Sequence, residues 1–254
     1  MTNQNVPRDL LFIWDLETTS AEPSTARVVQ LAGVTYTPSG TEGTIAFNQL
    51  CKPPVDISDG AAAVHGIKQE QLEKEELDHL AMNRLGDFIE HHSDRVIMAG
   101  HNLATFDKPI LENITGRKFS VPVIDTLVCA IRTLPDVKSR KLSELVVELG
   151  LDSGEGAHDA LADVNMVKKL VDFFCTGLSM DWEQLAEWCG QPRILGVMPF
   201  GKFKGKKFGR APTASVSKEY VPWFYIRFML DNFTNPSIDL VATLRHHYQA
   251  EFKA

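Results

Sequence analysis

Leu10-Leu11-Phe12-Ile13-Trp14 is an unbroken apolar run, the pattern of a strand covered on both faces. Val28–Tyr36 (VVQLAGVTY) predicts a second strand and 47–51 a third, joined through a turn at Gly40 and Gly43. Asp78–His91 sets Leu80, Leu85, Phe88 and Ile89 near helical spacing, and 95–99 (RVIMA) predicts a short buried strand. A helix opens around Asp107 and Pro109, where the fixed φ of proline suits a first turn. Residues 121–126 predict a strand, and 141–149 a helix stopped by Gly150. Over 160–174, Leu161, Val164, Val167, Leu170, Val171 and Phe174 make one apolar stripe, the mark of an amphipathic helix. Three strands in succession, then helices alternating with strands, describe an α/β chain with a mixed sheet flanked by helices. A boundary is expected near 177–180, dividing the chain into 1–178 and 179–254, with a weaker break at Gln191-Pro192. Beyond it, 181–189, the Trp223-Phe224-Tyr225 region and 240–247 read as helices.

Composition narrows the classes. With 254 residues, 44% hydrophobic and 23% charged, the chain is ordinary globular material, which excludes disorder, collagen-like repeats and coiled coil. The opening MTNQNVPRDL lacks the apolar core of a secretion signal, and no apolar run nears the roughly 20 residues of a membrane span. Cys51, Cys129, Cys175 and Cys189 are scattered without a Cys-x-x-Cys pair. Neither a disulfide framework nor a thiolate zinc site is expected, and the expected setting is the cytoplasm, away from membranes.

Charge changes the picture more. Residues 191–254 hold ten basic side chains against four acidic ones, a net of +6, while the preceding 190 residues hold 16 against 29, a net of −13. Half of the 22 aromatic residues also fall in those last 64 positions. An acidic body with a basic, ring-rich tail implies two units with different tasks, or simply a small domain with an aromatic core and a basic surface.

Asp15 and Glu17 sit at the end of the first apolar strand. Side chains two apart on a strand share a face, so the two carboxylates point one way, with Trp14 and Leu16 opposite. Paired like charges raise each other's pKa unless something cationic lies between them. Asp107 follows 101–107 (HNLATFD), where it could equally cap the next helix. In His158-Asp159-Ala160-Leu161-Ala162-Asp163, five residues at about 100° each leave His158 and Asp163 roughly 140° apart on a continuous helix. His158 is therefore expected on the loop end, with Asp163 on the first turns. Asp159, four before Asp163, is its rival for any metal role.

Asp15-Leu16-Glu17-Thr18-Thr19, Val64-His65-Gly66-Ile67, the segment 101–107 and His158 to Asp163 resemble, in that order, the DEDDh family of 3′→5′ exonucleases. That family includes polymerase proofreading domains and ribonuclease T. The resemblance runs from about Leu10 to Phe174, with Gln30 a departure where relatives often carry an acid. It implies a ribonuclease H-like fold, with Asp15, Glu17, Asp107 and Asp163 holding two divalent cations, Mg2+ or Mn2+, and His158 as general base. The residue types suit phosphodiester hydrolysis. Two cations supply the nucleophile and offset developing charge, hard cations prefer carboxylate oxygens, and an unperturbed imidazole titrates near pH 6.5. The resemblance also assigns Leu16, Thr18, His65 and Phe106 to the terminal nucleotide, although Phe106 could be core and His65 could brace a turn.

In the tail, alternation over 200–208 (FGKFKGKKF) would put Lys202, Lys204 and Lys206 on one side and Phe203 on the other, if extended. With Lys207 they are expected to track a phosphate backbone. This part resembles the basic C-terminal α+β extension of exodeoxyribonuclease X-like proteins. The expected activity is release of nucleoside 5′-monophosphates from the 3′ end of DNA, single-stranded or frayed. RNA ends on the same fold, or a non-catalytic nucleic-acid-binding module, are the alternatives. The extension could also engage a replication or repair protein.

Overall fold

The structure is a computed structural model that describes residues 8–38, 42–151, 158–198, 201–232 and 238–248. The expected Gly40 turn, the first residues of the chain and Phe200 lie outside these. Five strands form one sheet: β1 (Leu10–Thr18), β2 (Val28–Tyr36), β3 (Thr44–Leu50), β4 (Val96–Gly100) and β5 (Val123–Asp125). Their order is β3-β2-β1-β4-β5. β1 pairs antiparallel with β2 and β2 with β3, whereas β4 runs parallel to both β1 and β5. The sheet is mixed, as the sequence predicts.

β1 does not stop at Trp14. Asp15 and Glu17 stay in the ladder, opposite Ala32 and Gln30 of β2, so both carboxylates are fixed on rigid backbone. Gly33 on β2 has a packing cause: a Cβ there would meet the Phe12 ring at 2.7 Å.

The helices are α1 (Asp59–His65), α2 (Asp78–His91), α3 (Asp107–Thr115), α4 (Thr126–Thr133), α5 (Leu142–Glu148), α6 (Ala160–Leu178) and α7 (Trp182–Gly190). The sequence does not announce two of them. α1 buries no residue, so it carries no apolar stripe. α4 replaces the end of the strand expected over 121–126, because the Asp125 carboxylate accepts the N–H groups of Leu127 and Val128 and starts a helix.

Each face of the sheet is buried. Leu11, Ile13, Ala32, Val34, Ile97, Ala99 and Ile124 pack with Val164, Val167, Leu170 and Val171 of α6. Phe12, Trp14, Leu16 and Met98 pack with Ala81, Met82, Leu85 and Ile89 of α2 and with Ile110 and Leu111 of α3. Burying each of the Val, Leu, Ile, Phe and Met side chains among them contributes about 1.5–3 kcal/mol.

The chain divides into two compact units after Cys189. That is later than the expected break at 178. α7 belongs to the first unit, since Leu185, Ala186 and Cys189 are buried in its core. The second unit has its own core of Met198, Phe203, Phe208, Val221, Ile226, Met229, Leu240, Leu244 and Tyr248. Around that core lie α8 (Trp223–Asn232), α9 (Ile238–Tyr248), two 3₁₀ turns and single bridging pairs joining Lys207 to Val197 and Tyr220. Among the described residues no helix is long and apolar enough to cross a membrane.

Candidate cation and nucleotide site

Alternation along β1 sends Asp15 and Glu17 to the side shared with Leu11 and Ile13, the side covered by α6. α6 begins beneath them. Asp159 is its N-cap, and its carboxylate accepts the N–H groups of Leu161 and Ala162. His158 precedes the cap with φ 69°, in the left-handed region that β-carbon-bearing residues seldom occupy. This turn solves the 140° problem, because His158 leaves the helix path while Asp163 stays in the first turn. One oxygen each of Glu17 and Asp163 and one ring nitrogen of His158 lie within 4.8 Å of one another. The His158 backbone N–H also donates to Asp163 Oδ1 at 3.4 Å.

Asp107 follows β4, the parallel neighbour of β1 on the side away from β2. It is the first residue of α3, only 3% exposed. The cap position belongs to Phe106, which makes no side-chain cap bond, so the Asp107 carboxyl is not spent on capping. Instead it takes the Leu16 backbone N–H. The loop before it is tied down by Asp125, whose carboxylate accepts the N–H groups of Asn102 at 3.0 Å and Ala104 at 3.1 Å.

Carboxyls from β1, α3 and α6 thus act on one another, the charges of Glu17, Asp107 and Asp163 all reaching Asp15, while only Glu17 and Asp163, with His158, bring ligand atoms within 4.8 Å of one another. Burial first, then the charges of Asp107, Asp163 and Glu17, hold the Asp15 carboxyl well above the usual carboxylate range. Burial and the nearby Asp163 push Glu17 up to about 7. Burial pushes Asp107 up to about 8, against the opposing pull of its own and the Leu16 N–H. Asp163 is also raised by burial, with His158 partly offsetting this. Among the described residues no lysine or arginine pairs with any of the four. An all-oxygen donor set with uncompensated negative charge fits hard divalent cations. Asp159, the rival for a metal role, gives its carboxylate to the helix cap and to Gln30 Nε2 at 2.9 Å, while its charge still acts on Asp15 and Glu17.

The expected nucleotide contacts distribute unevenly. Leu16 is a core residue at 5% exposure, although its backbone serves Asp107. Thr18 is buried and its hydroxyl donates to the Ser20 carbonyl at 2.9 Å. His65 braces a turn, with Nδ1 accepting the Ile67 N–H at 3.0 Å. It also faces the site: its Nε2 is buried without a well-formed hydrogen bond, and the Thr18 backbone and His158 both act on the ring. Phe106 is half-buried, packed at the rim of the α2–α3 core. His101, though in the same segment, is structural, held by Thr126 Oγ1 at 2.9 Å and the Arg140 carbonyl at 2.8 Å. Asp125 and Gln30 lie outside the acid and histidine set assigned from the motifs, Gln30 being noted there only as a departure from relatives.

In the second unit, the extended alternation is not formed over 201–208, the described part of that stretch. Gly201–Phe203 is a 3₁₀ turn, and Lys202 and Lys206 both lie over the Phe203 ring, at 5.7 and 5.4 Å. Lys204 is exposed, and Lys207 pairs with Glu219 at 2.9 Å.

Residues 12–171 match the profile of the exonuclease family typified by RNase T. The chain belongs to that exonuclease family. It is similar to exodeoxyribonuclease 10 of Escherichia coli K12, 25% identical over 206 residues, covering 80% of this chain and 84% of the relative. A DNA polymerase III subunit epsilon-like protein of Rhodobacter capsulatus is 28% identical over 156 residues, 59% of this chain and 21% of that one. Among solved structures, exonuclease X in complex with 5′-overhanging duplex DNA has a TM-score of 0.53 at 22% identity, covering 70% of this chain and 98% of that one. E. coli exonuclease I with a dA16 oligonucleotide has a TM-score of 0.55 at 19% identity, covering 72% and 43%. The fold of this exonuclease-family chain is ribonuclease H-like.

Proposed function

We propose that the chain is a metal-dependent 3′→5′ exonuclease that releases nucleoside 5′-monophosphates from DNA, acting on single-stranded or frayed ends. The observation that supports this is that the charges of Glu17, Asp107 and Asp163 all act on the buried Asp15, with no lysine or arginine paired to any of the four among the described residues. Asp15, Glu17, Asp107 and Asp163 would hold two divalent cations, Mg2+ or Mn2+. Such ions supply a water nucleophile near neutral pH and offset charge on the phosphorane and the leaving oxygen. An imidazole nitrogen of His158 accepts the proton of the attacking water, and its placement on the loop before α6 leaves it exposed to solvent for proton return. The buried Nε2 of His65 and the half-buried ring of Phe106 would offer a polar contact and a stacking surface to the terminal nucleotide, with the backbone of Leu16 and Thr18 alongside. Lys202, Lys204 and Lys206, with the paired Lys207 contributing less, give the second unit a phosphate-binding surface.

DNA is favoured over RNA by the similarity to exodeoxyribonuclease 10, which spans most of both chains. A time course on 5′-labelled and 3′-labelled strands of DNA and RNA tests polarity, sugar preference and product size together. A magnesium-dependent ladder from the 5′-labelled DNA, with mononucleotide from the 3′-labelled one, is expected. A ladder from the 3′-labelled strand, or equal digestion of RNA, would overturn the direction or the substrate respectively.

A further inference from the structure

We infer that Gln30 is a positioning residue of the cation site, holding the start of α6 so that His158 and Asp163 face Glu17. This rests on the assignment of Glu17 and Asp163 as cation ligands proposed above.

Gln30 lies directly opposite Glu17 in the β1–β2 ladder and is 8% exposed. It points to the α6 side of the sheet, in series with Ala32 and Val34. Its amide spans both polar groups at the helix entry. Nε2 donates to Asp159 Oδ2 at 2.9 Å, and Oε1 accepts the buried Ala160 N–H at 3.2 Å. The other Asp159 oxygen accepts the N–H groups of Leu161 and Ala162, each at 3.2 Å. Gln30 and its cap partner therefore satisfy three of the orphan donors that open any helix. His158 stands immediately before this clamp with φ 69°, a conformation that persists only where its surroundings over-determine it.

An amide performs both halves of this task whatever the pH. A carboxylate at 30 could accept the Ala160 N–H but would meet the Asp159 carboxylate with no proton to give. An aliphatic side chain would leave the buried Ala160 N–H unsatisfied and the Asp159 carboxylate without its donor. Across the ladder Gln30 faces Glu17, and across the layer Asp159, so a neutral side chain also avoids adding negative charge beside the cation ligands.

The test compares Gln30→Met, Gln30→Glu and the double variant Gln30→Glu/Asp159→Asn with the full-length wild-type chain. In the double variant the new amide at 159 donates to the new carboxylate at 30, restoring the bond with donor and acceptor exchanged. Mn2+ affinity by calorimetry, kcat and KM on a labelled DNA strand, and Tm are measured for each. Both single variants should weaken Mn2+ binding and lower kcat by about 10- to 100-fold, the usual cost of losing an outer-shell partner, with KM for the strand little changed. The double variant should recover most of that loss. Single variants with wild-type Mn2+ affinity and kcat, whatever their Tm, would overturn the inference, as would a double variant no better than Gln30→Glu. Should Gln30→Met not fold, the comparison of Gln30→Glu with the double variant carries the test. A wild-type chain that binds Mn2+ in the expected order across variants but degrades no strand refutes the exonuclease reading and leaves the role of Gln30 standing.

Discussion

Asp15 feels four like charges, those of Asp107, Asp163, Glu17 and Asp159, and among the described residues no lysine or arginine pairs with it, so at the residue scale the site is strained electrostatically until something neutralises it. Glu17 ionises near 4.5 in the unfolded chain but near 7 in the fold, and Asp107 near 3.8 and 8. A carboxyl whose pKa is raised by folding favours the fold while protonated, so that stability is complete below about pH 4 and is lost as pH rises to about 8. The chelated protein should therefore melt at progressively lower temperature between pH 5 and pH 8, and Glu17→Gln should flatten that slope. Thermal scans with chelator at three pH values check this, and a Tm that rises over the range would contradict it. Asp163→Ala should abolish turnover while the metal-free protein melts no lower than wild type, because a repelling charge has been removed. Activity of His158→Ala should fall by roughly 10²- to 10⁴-fold, the usual contribution of a general base, and recover partly at high pH. An undiminished rate near neutrality would remove His158 from that role.

The elements matter because each brings its acid with its backbone already committed. β1 fixes two carboxylates by strand alternation, α6 brings Asp163 in its first turn, and Asp125 ties the loop that delivers Asp107. Asp125→Ala removes the α4 cap and leaves the Asn102 and Ala104 N–H groups without their acceptor. A loss of about 1–3 kcal/mol in urea unfolding is expected, with reduced activity through Asp107. Unchanged stability would show that the loop holds itself. Strands and helices with strong periodicity were legible: β2 and α2 occupy the predicted ranges because their apolar rhythm is unbroken. So was the same-face placement of Asp15 and Glu17, which follows from the two-residue period alone. α1 was hidden because it buries nothing, and α4 because its start is set by one carboxylate within a run that reads as strand. The departure of His158 from the helix path followed from angular arithmetic. The clamp through Gln30 did not, since it joins residues 129 apart in sequence.

For the whole molecule, the two units divide the charge as well as the chain. The second has its own core, so its lysines can be changed without touching the first. Lys202→Ala, Lys204→Ala, Lys206→Ala and Lys207→Ala together should leave turnover on a saturating short strand intact and weaken binding to a long one. Every single-strand phosphate that is no longer neutralised lowers the slope of log affinity against log salt by about 0.7. A fall of roughly two units is therefore expected for three available lysines, Lys207 being held by Glu219. An unchanged slope would deny the second unit its nucleic-acid role. The break after Cys189, later than the expected 178, falls where charge and aromatic content change, and the apolar side of α7 places that helix in the first core. Anomalous diffraction from crystals soaked in Mn2+ reaches the central matter most directly. Two peaks within coordination distance of Asp15, Glu17, Asp107 and Asp163 are expected, and peaks elsewhere, or a site that leaves any one of the four carboxylates out, would contradict it.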